Sequence, residues 1–225
     1  MKEVTFYVTR HGETIFNILG KIQGWADTPL TQRGINSAEL LGKGIGDIKF
    51  VAAYSSDSGR AIETAEIILK QSGQDHINLY RDKRLREWGF GSLEGESTKM
   101  LMNIILKKLN KDVSFENLTY YLPQIAEYIV MSDSLKLAES FLSITMRLKT
   151  AFQDIAEMIY SKGGGNVLVV SHAFTIKTLI YLFANHRLNE AIKIENGSIT
   201  KVIYKNGQFQ INNINDTTYI KCDKN

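Results

Sequence analysis

The chain predicts an α/β fold, a three-layer α/β/α sandwich around a mostly parallel central sheet, and three features carry that expectation. Short β-branched runs alternate with longer segments of helical periodicity. One run, Val167-Leu168-Val169-Val170, is apolar without interruption, the mark of a strand covered on both faces. The 225 residues suffice for one large domain and are short for two.

The elements follow in order. Val4–Thr9 alternates at period two and is expected to be the first strand. Thr31–Gly44 reads as a helix with Thr31 as N-cap. Val51–Ser55 is a short apolar strand, and Ser58–Gln71 places Ala61, Ala65, Ile68 and Leu69 on one helical face. Ile77–Tyr80 reads as another short strand, and Leu85–Gly95, rich in glycine and glutamate, as a loop. Residues 97–161 contain no glycine and many Leu, Ile and Met, and Pro123 and Ser132-Asp133-Ser134 divide them. They predict a helical cap inserted over roughly 97–145 into a single domain spanning 1–225. The cap runs into a long helix stopped by Gly163-Gly164-Gly165. Asn166–Ser171 is then a buried strand and His172–Ala184 a helix. Ser198–Tyr204 and Gln208–Ile214 flank Asn206-Gly207, the signature of a hairpin with a type I′ turn. That hairpin offers either an edge for pairing in a homodimer or a covered edge, and both stay open. Residues 221–225 are expected to fray.

Bulk properties exclude several classes. The composition, 44% hydrophobic and 23% charged, is that of an ordinary globular protein. The apolar runs are too short for a bilayer, and Met-Lys-Glu-Val-Thr lacks the charged-then-apolar pattern of a secretion signal, so a cytoplasmic protein without membrane contact is expected. A net charge of +3 is too mild to point to nucleic acid, and Lys107, Lys108 and Lys111 read as a solvated helix face. The single cysteine, Cys222, excludes an internal disulfide and reads as an exposed thiol.

The chemistry concentrates at strand ends. His11 follows Val-Thr-Arg after one predicted strand, and His172 follows Val-Val-Ser after another. In a parallel sheet, with neighbouring strands about 4.8 Å apart, both imidazoles emerge from the same carboxyl edge and face each other. Arg10 and Arg60 supply fixed cations whose forked donors match phosphate oxygens, and Arg60 stands near a helix N-terminus. The loop Leu85–Gly95 offers two carboxylates, Glu87 and Glu94, which spacing alone does not separate. His76 and His186 lie in polar loop contexts and carry no assigned role.

Five ordered motifs then give a resemblance. Arg10-His11-Gly12-Glu13-Thr14 with Asn17 resembles the RHG[ET] signature of the histidine phosphatase superfamily, the phosphoglycerate mutase-like proteins. Gly24-Trp-Ala-Asp27-Thr-Pro29-Leu30-Thr31-Gln-Arg-Gly34 resembles its G-x-x-D-x-P-L-T-x-x-G segment, and Ser58-Gly-Arg60-Ala61-Ile-Glu-Thr64-Ala65 its S-x-R-A-x-x-T-A segment. Leu85-Arg-Glu87 with Gly91 and Glu94-Gly95 resembles its acid loop, and Val169-Val170-Ser171-His172 its V-S-H-G box. The resemblance implies that His11 attacks phosphorus to form a phosphohistidine. It implies that Arg10, Arg60 and His172 hold the phosphoryl oxygens, and that Glu87 protonates the leaving oxygen and then activates water. It further implies that Asn17, Gln23, Gly24 and Ala173 help bind substrate, and that Glu94 is structural. No metal or cofactor is expected, because cationic side chains meet the developing charge. The box here ends His172-Ala173-Phe174 instead of His-Gly, and Phe174 is expected to narrow the pocket.

The resemblance leaves three activities. Hydrolysis of a small phosphorylated metabolite with release of inorganic phosphate leads. A cofactor-dependent phosphoglycerate mutase is the first alternative. Mutases of the family use a cap lysine and an arginine pair, whereas 97–161 offers Lys99 and a single arginine, Arg147. A non-catalytic phospho-ligand module is the second, and the presence of His11, Arg60 and His172 argues against it. Met100, Met102, Tyr120, Tyr121, Tyr128 and Met131 have helical spacing, which assigns most of them to the core. Any that reach the pocket would favour a substrate with an apolar organic body.

Overall fold

A computed structural model describes residues 2–109, 119–191 and 193–220. Lys111, Cys222 and the tail from 221 lie outside the described residues. Six strands form one sheet in the order β3-β2-β4-β1-β5-β6. They are β1 (Val4–Arg10), β2 (Phe50–Ser55), β3 (Leu79–Arg81), β4 (Gly165–Ser171), β5 (Ile199–Lys205) and β6 (Gln208–Ile211). β3, β2, β4 and β1 run parallel, and β5 and β6 join antiparallel at one edge. The sandwich is the expected α/β architecture.

Period two in the strands divides the core into two layers. Phe6, Val8, Val167 and Val169 face one apolar cluster, while Leu168, Val170 and Ala53 face the other. The second layer is closed by α2 (Gln32–Gly44) and α3 (Gly59–Gln71), the first by α4 (Thr98–Lys108), α5 (Leu122–Ser132), α6 (Phe141–Ser161) and α7 (Ala173–Phe183). Burial on both faces explains why β4 carries no polar alternation. Among the described residues no helix is long and apolar enough to cross a membrane.

Several boundaries differ from the sequence expectation for physical reasons. The third strand is Leu79–Arg81, not Ile77–Tyr80, because its register is set by pairing with Ala53–Ser55. The last strand stops at Ile211, short of Ile214. Leu85–Gly95 is pinned by two 3-10 turns, Lys83–Leu85 and Gly91–Leu93. A short helix α1 (Ile15–Ile18), closed by a reciprocal Thr14–Asn17 capping box, follows the first motif. The hairpin turn has positive φ at both Asn206 and Gly207, as a type I′ turn needs. Asp133 ends α5, and its carboxylate accepts from the amides of Ser92, Leu135, Leu137 and Ala138, tying the cap to the loop below.

Candidate active site

Strand register brings the two histidines together. β1 and β4 are adjacent and parallel, and Arg10 pairs with Ser171, so His11 and His172 leave the sheet side by side. Their ring centroids are 5.2 Å apart. The motif residues then lock the first strand end. The Gly12 amide donates to Thr64 Oγ1 at 3.0 Å, and Thr31 Oγ1 donates to Glu13 Oε1 at 3.0 Å. Gly12 and Gly34 pack backbone to backbone: a Cβ on Gly12 would lie 2.7 Å from the Gly34 carbonyl oxygen. Two glycines from separate motifs thus serve one close approach.

The tautomers follow from the partners. His11 Nδ1 lies 2.7 Å from the Gly12 carbonyl oxygen, which only accepts, so Nδ1 carries the proton and Nε2 the lone pair. His172 Nδ1 lies 3.0 Å from Arg60 Nη2, which only donates, so His172 carries its proton on Nε2. That proton is donated to Ser56 Oγ at 2.7 Å. Both nitrogens of His172 are therefore engaged within the protein. Burial first, and then the cations Arg60 and Arg10, hold His11 well below the ordinary histidine range. Burial and Arg60 do the same to His172.

Arg60 is 1% exposed. Its terminal nitrogens donate to Gly24 O at 2.8 Å, Ala26 O at 2.9 Å and Asp27 Oδ1 at 2.8 Å. Arg10 donates to the Ile194 carbonyl at 2.7 Å. Each arginine keeps a buried Nε–H without a protein partner. Buried charged donors are costly to leave unmet, and a phosphoryl group offers the oxygens to meet them.

The two carboxylates separate in the structure. Glu87 Oε1 accepts from the amides of Trp88 at 3.0 Å and Thr175 at 2.9 Å, and Oε2 from the Phe174 amide at 2.9 Å. It sits against the first turn of α7, and burial pushes its carboxyl up from the usual range despite those donors. Glu94 instead accepts from the amides of Gly24, Trp25, Ala26 and Phe90, and so holds the loop that holds Arg60. A Cβ on Gly24 would lie 2.2 Å from the Trp88 carbonyl oxygen, which is why that position is glycine.

Arg10, His11, Asn17, Gln23, Glu87 and Ala173 line one cavity of about 160 Å³. Its other walls are mostly apolar, with Ile22, Phe90, Leu101, Met102, Ile105 and Phe174 beside Lys21 and Thr98. Phe174 packs 4.9 Å from Trp88 and 6.1 Å from Phe90, ring to ring. Arg60, His172 and Gly24 do not line this cavity; they stand behind it, linked by the bonds already given. Gln23 accepts from Thr14 Oγ1 and donates to Thr28 Oγ1, and Asn17 Oδ1 accepts from the Thr14 amide.

The cap contributes less than its sequence suggests. Of its methionines and tyrosines singled out by spacing, only Met102 reaches the cavity, while Met100, Tyr120 and Met131 are exposed instead of packed in the core. They fall on the outer faces of their segments. Lys99 points outward, and Lys21 lines the cavity in its place. Sequence reasoning also missed Thr98, Leu101 and Ile105, which only the fold of α4 over the strand ends brings in. A second, polar cavity of about 590 Å³ adjoins the first and shares Arg10, Asn17, Lys21 and Thr98 with it. Among the described residues no group of three or more His, Cys, Asp or Glu side chains has the spacing to hold a metal ion.

Known proteins share this fold. A phosphoglycerate mutase structure from Bacillus anthracis str. Sterne superposes with a TM-score of 0.91, at 40% identity over 97% of this chain and 96% of that one. A phosphoserine phosphatase from Entamoeba histolytica, in complex with 3-phosphoglyceric acid, gives 0.71 at 25% identity over 97% and 100% of the two chains. A 2,3-bisphosphoglycerate-dependent phosphoglycerate mutase of Buchnera aphidicola subsp. Cinara cedri (strain Cc) is 28% identical over 217 residues, 91% of this chain and 94% of its own. The family model of the histidine phosphatase superfamily (branch 1) matches residues 6–217, and the chain belongs to that superfamily.

Proposed function

We propose that the protein is a metal-independent phosphomonoesterase that works through a phosphohistidine at His11 Nε2. One observation carries the reading: the bond from Nδ1–H to the Gly12 carbonyl leaves Nε2 as the nitrogen with a lone pair, on a ring kept neutral in a cavity wall. Nε2 forms the bond to phosphorus as the bond to the leaving oxygen breaks. The proton of Glu87, a carboxyl whose burial favours the protonated form, passes to that oxygen. Water then attacks phosphorus, its proton returns to Glu87, and His11 and inorganic phosphate are released. The unpaired Nε–H of Arg10, whose side chain lines the cavity, is the charged donor for the phosphoryl oxygens, and Arg60 adds its charge from behind that wall. His172 orients Arg60 through Nδ1, and its Nε2–H reaches phosphate by exchanging its bond to Ser56. Asn17, Gln23 and the Ala173 amide complete the polar end.

The apolar walls favour a phosphorylated metabolite with an organic body over a sugar bisphosphate. The names of two relatives favour a second reading, a phosphoglycerate mutase. The cations lining the reaction cavity, Arg10 and Lys21, are few for gripping a bisphosphorylated acid. Phosphate release from p-nitrophenyl phosphate near pH 6 in EDTA is the test. Wild type should turn over and His11→Ala should lose at least about a thousandfold. Transfer between 2- and 3-phosphoglycerate that depends on 2,3-bisphosphoglycerate and outpaces hydrolysis would replace this reading with the mutase.

A further inference from the structure

We infer that Arg147 and Glu139 form a positioning clamp that sets the acid, Glu87, against the leaving oxygen. The inference rests on the role proposed for Glu87 and extends it to a pair outside the cavity.

Arg147 lies on α6 and is 14% exposed, with Glu139 10% exposed beside it. All five guanidinium donors are spent. Nε and Nη2 grip the two oxygens of Glu139 at 2.8 and 2.9 Å. Nη1 donates to the carbonyls of Arg84 at 2.7 Å and Arg86 at 2.8 Å, and Nη2 to the carbonyl of Glu87 itself at 2.9 Å. Glu139 Oε2 accepts from the Gly89 amide at 3.0 Å, and the Glu139 amide donates to the Gly89 carbonyl at 3.1 Å. The pair therefore fixes the backbone on both sides of Glu87, at residues 84, 86, 87 and 89. No regular element does this work, since the segment between the turns at 83–85 and 91–93 has no helix or strand of its own. Gly89 permits the approach: a Cβ there would lie 3.3 Å from Glu139 Cγ.

Saturation of a planar fork by three carbonyls and a bidentate carboxylate fixes geometry as well as charge. A lysine keeps the charge and carries only three donors on a flexible stem, so Arg147→Lys loosens the clamp without burying an uncompensated carboxylate. Neither residue touches the reacting atoms. Their effect must pass through the direction in which the Glu87 carboxyl presents its proton, and misplacing such a group by about 1 Å costs rate steeply.

That route has a signature a merely structural role lacks. A p-nitrophenolate departs without a proton, whereas an alkoxide needs one in the transition state. The experiment compares kcat/KM for p-nitrophenyl phosphate and for β-glycerol phosphate in wild type, Arg147→Lys, Glu139→Gln and Glu87→Ala. Alanine serves as the benchmark because a glutamine amide would oppose the Phe174 N–H that Glu87 accepts. Glu87→Ala should lose far more on the alkyl ester than on the aryl one. Arg147→Lys and Glu139→Gln should show the same bias, at least about tenfold on the alkyl ester and under about threefold on the aryl one. Equal losses on both esters in both clamp variants, with the bias intact in Glu87→Ala, would overturn the clamp alone. No bias in Glu87→Ala would overturn the acid role, and the clamp with it. The ratio of the two esters is taken within each preparation, so a partly unfolded variant does not alter it.

Discussion

A residue's neighbours in sequence told the truth at His11 and His172 and nothing at Lys21. Both histidines sit immediately after strands, where topology fixes where a side chain goes, so their meeting was legible. Lys21 lies between two motifs, and only the folded chain puts it on the wall common to the reaction cavity and the polar cavity beside it. Among the described residues its ammonium makes no hydrogen bond or ion pair, whereas Lys193 and Arg33 on the polar side face Glu195 and Glu13. A free cation at that wall is expected to meet an anionic group carried by the leaving part of a substrate. Lys21→Met is expected to raise KM for phosphoserine and 3-phosphoglycerate about fivefold to tenfold, the worth of one charge-assisted contact. KM for p-nitrophenyl phosphate should change by less than about twofold, its leaving group having no anion to hold. Parallel changes for all three esters would assign Lys21 to the phosphate itself and sink the prediction.

Elements were legible where burial imposes a period and illegible where the backbone is held by side chains. β1 and β4 could be placed from alternation and from an unbroken apolar run. The expected third strand starts two residues early and ends one early, because three residues carry too little pattern to set a register that pairing with β2 decides. The loop 24–26 is the clearest case of support from a distance. Its three amides are all met by Glu94, nearly seventy positions later, and its carbonyls at Gly24 and Ala26 in turn hold Arg60. The family resemblance implies that Glu94 is structural but gives no hint of what it supports. Glu94→Ala strands those amides and that of Phe90. The cost expected in a denaturant titration is about 2 to 3 kcal/mol, since four amides, three of them part-buried, lose a charged acceptor at once. Phosphate affinity should fall as well, measured by vanadate inhibition at a temperature where the variant is folded. A variant that keeps wild-type inhibition despite lost stability would separate the loop from Arg60.

At the scale of the whole molecule, the site is a stored cost that pH can reveal. His11 and His172 are buried, 5.2 Å apart, beside Arg60, and both are depressed below the ordinary value of 6.5. The folded state therefore binds fewer protons than the unfolded chain once pH falls below about 6.5, where unfolded histidines take up theirs. Their contribution to stability is complete above that pH and is lost as pH falls toward the folded values. Each histidine should cost up to about 1.4 kcal/mol per pH unit in that window. Glu87 works in the opposite sense: its raised value makes the folded state hold a proton more tightly, so acid favours folding through that group. It offsets at most one of the two histidines, as pH falls through its raised folded value toward the ordinary carboxyl range, so acid still lowers stability from about pH 6.5 to 5. Unfolding free energy measured by denaturant should fall across that interval in the wild type. The double variant His11→Gln/His172→Gln, which cannot be protonated at either position, should show a flatter line. Inorganic phosphate should lift the wild-type curve at each pH, because it binds the folded site and meets the unpaired Arg10 donor. An unchanged slope in the double variant would mean that the acid sensitivity of the fold lies outside its two central histidines.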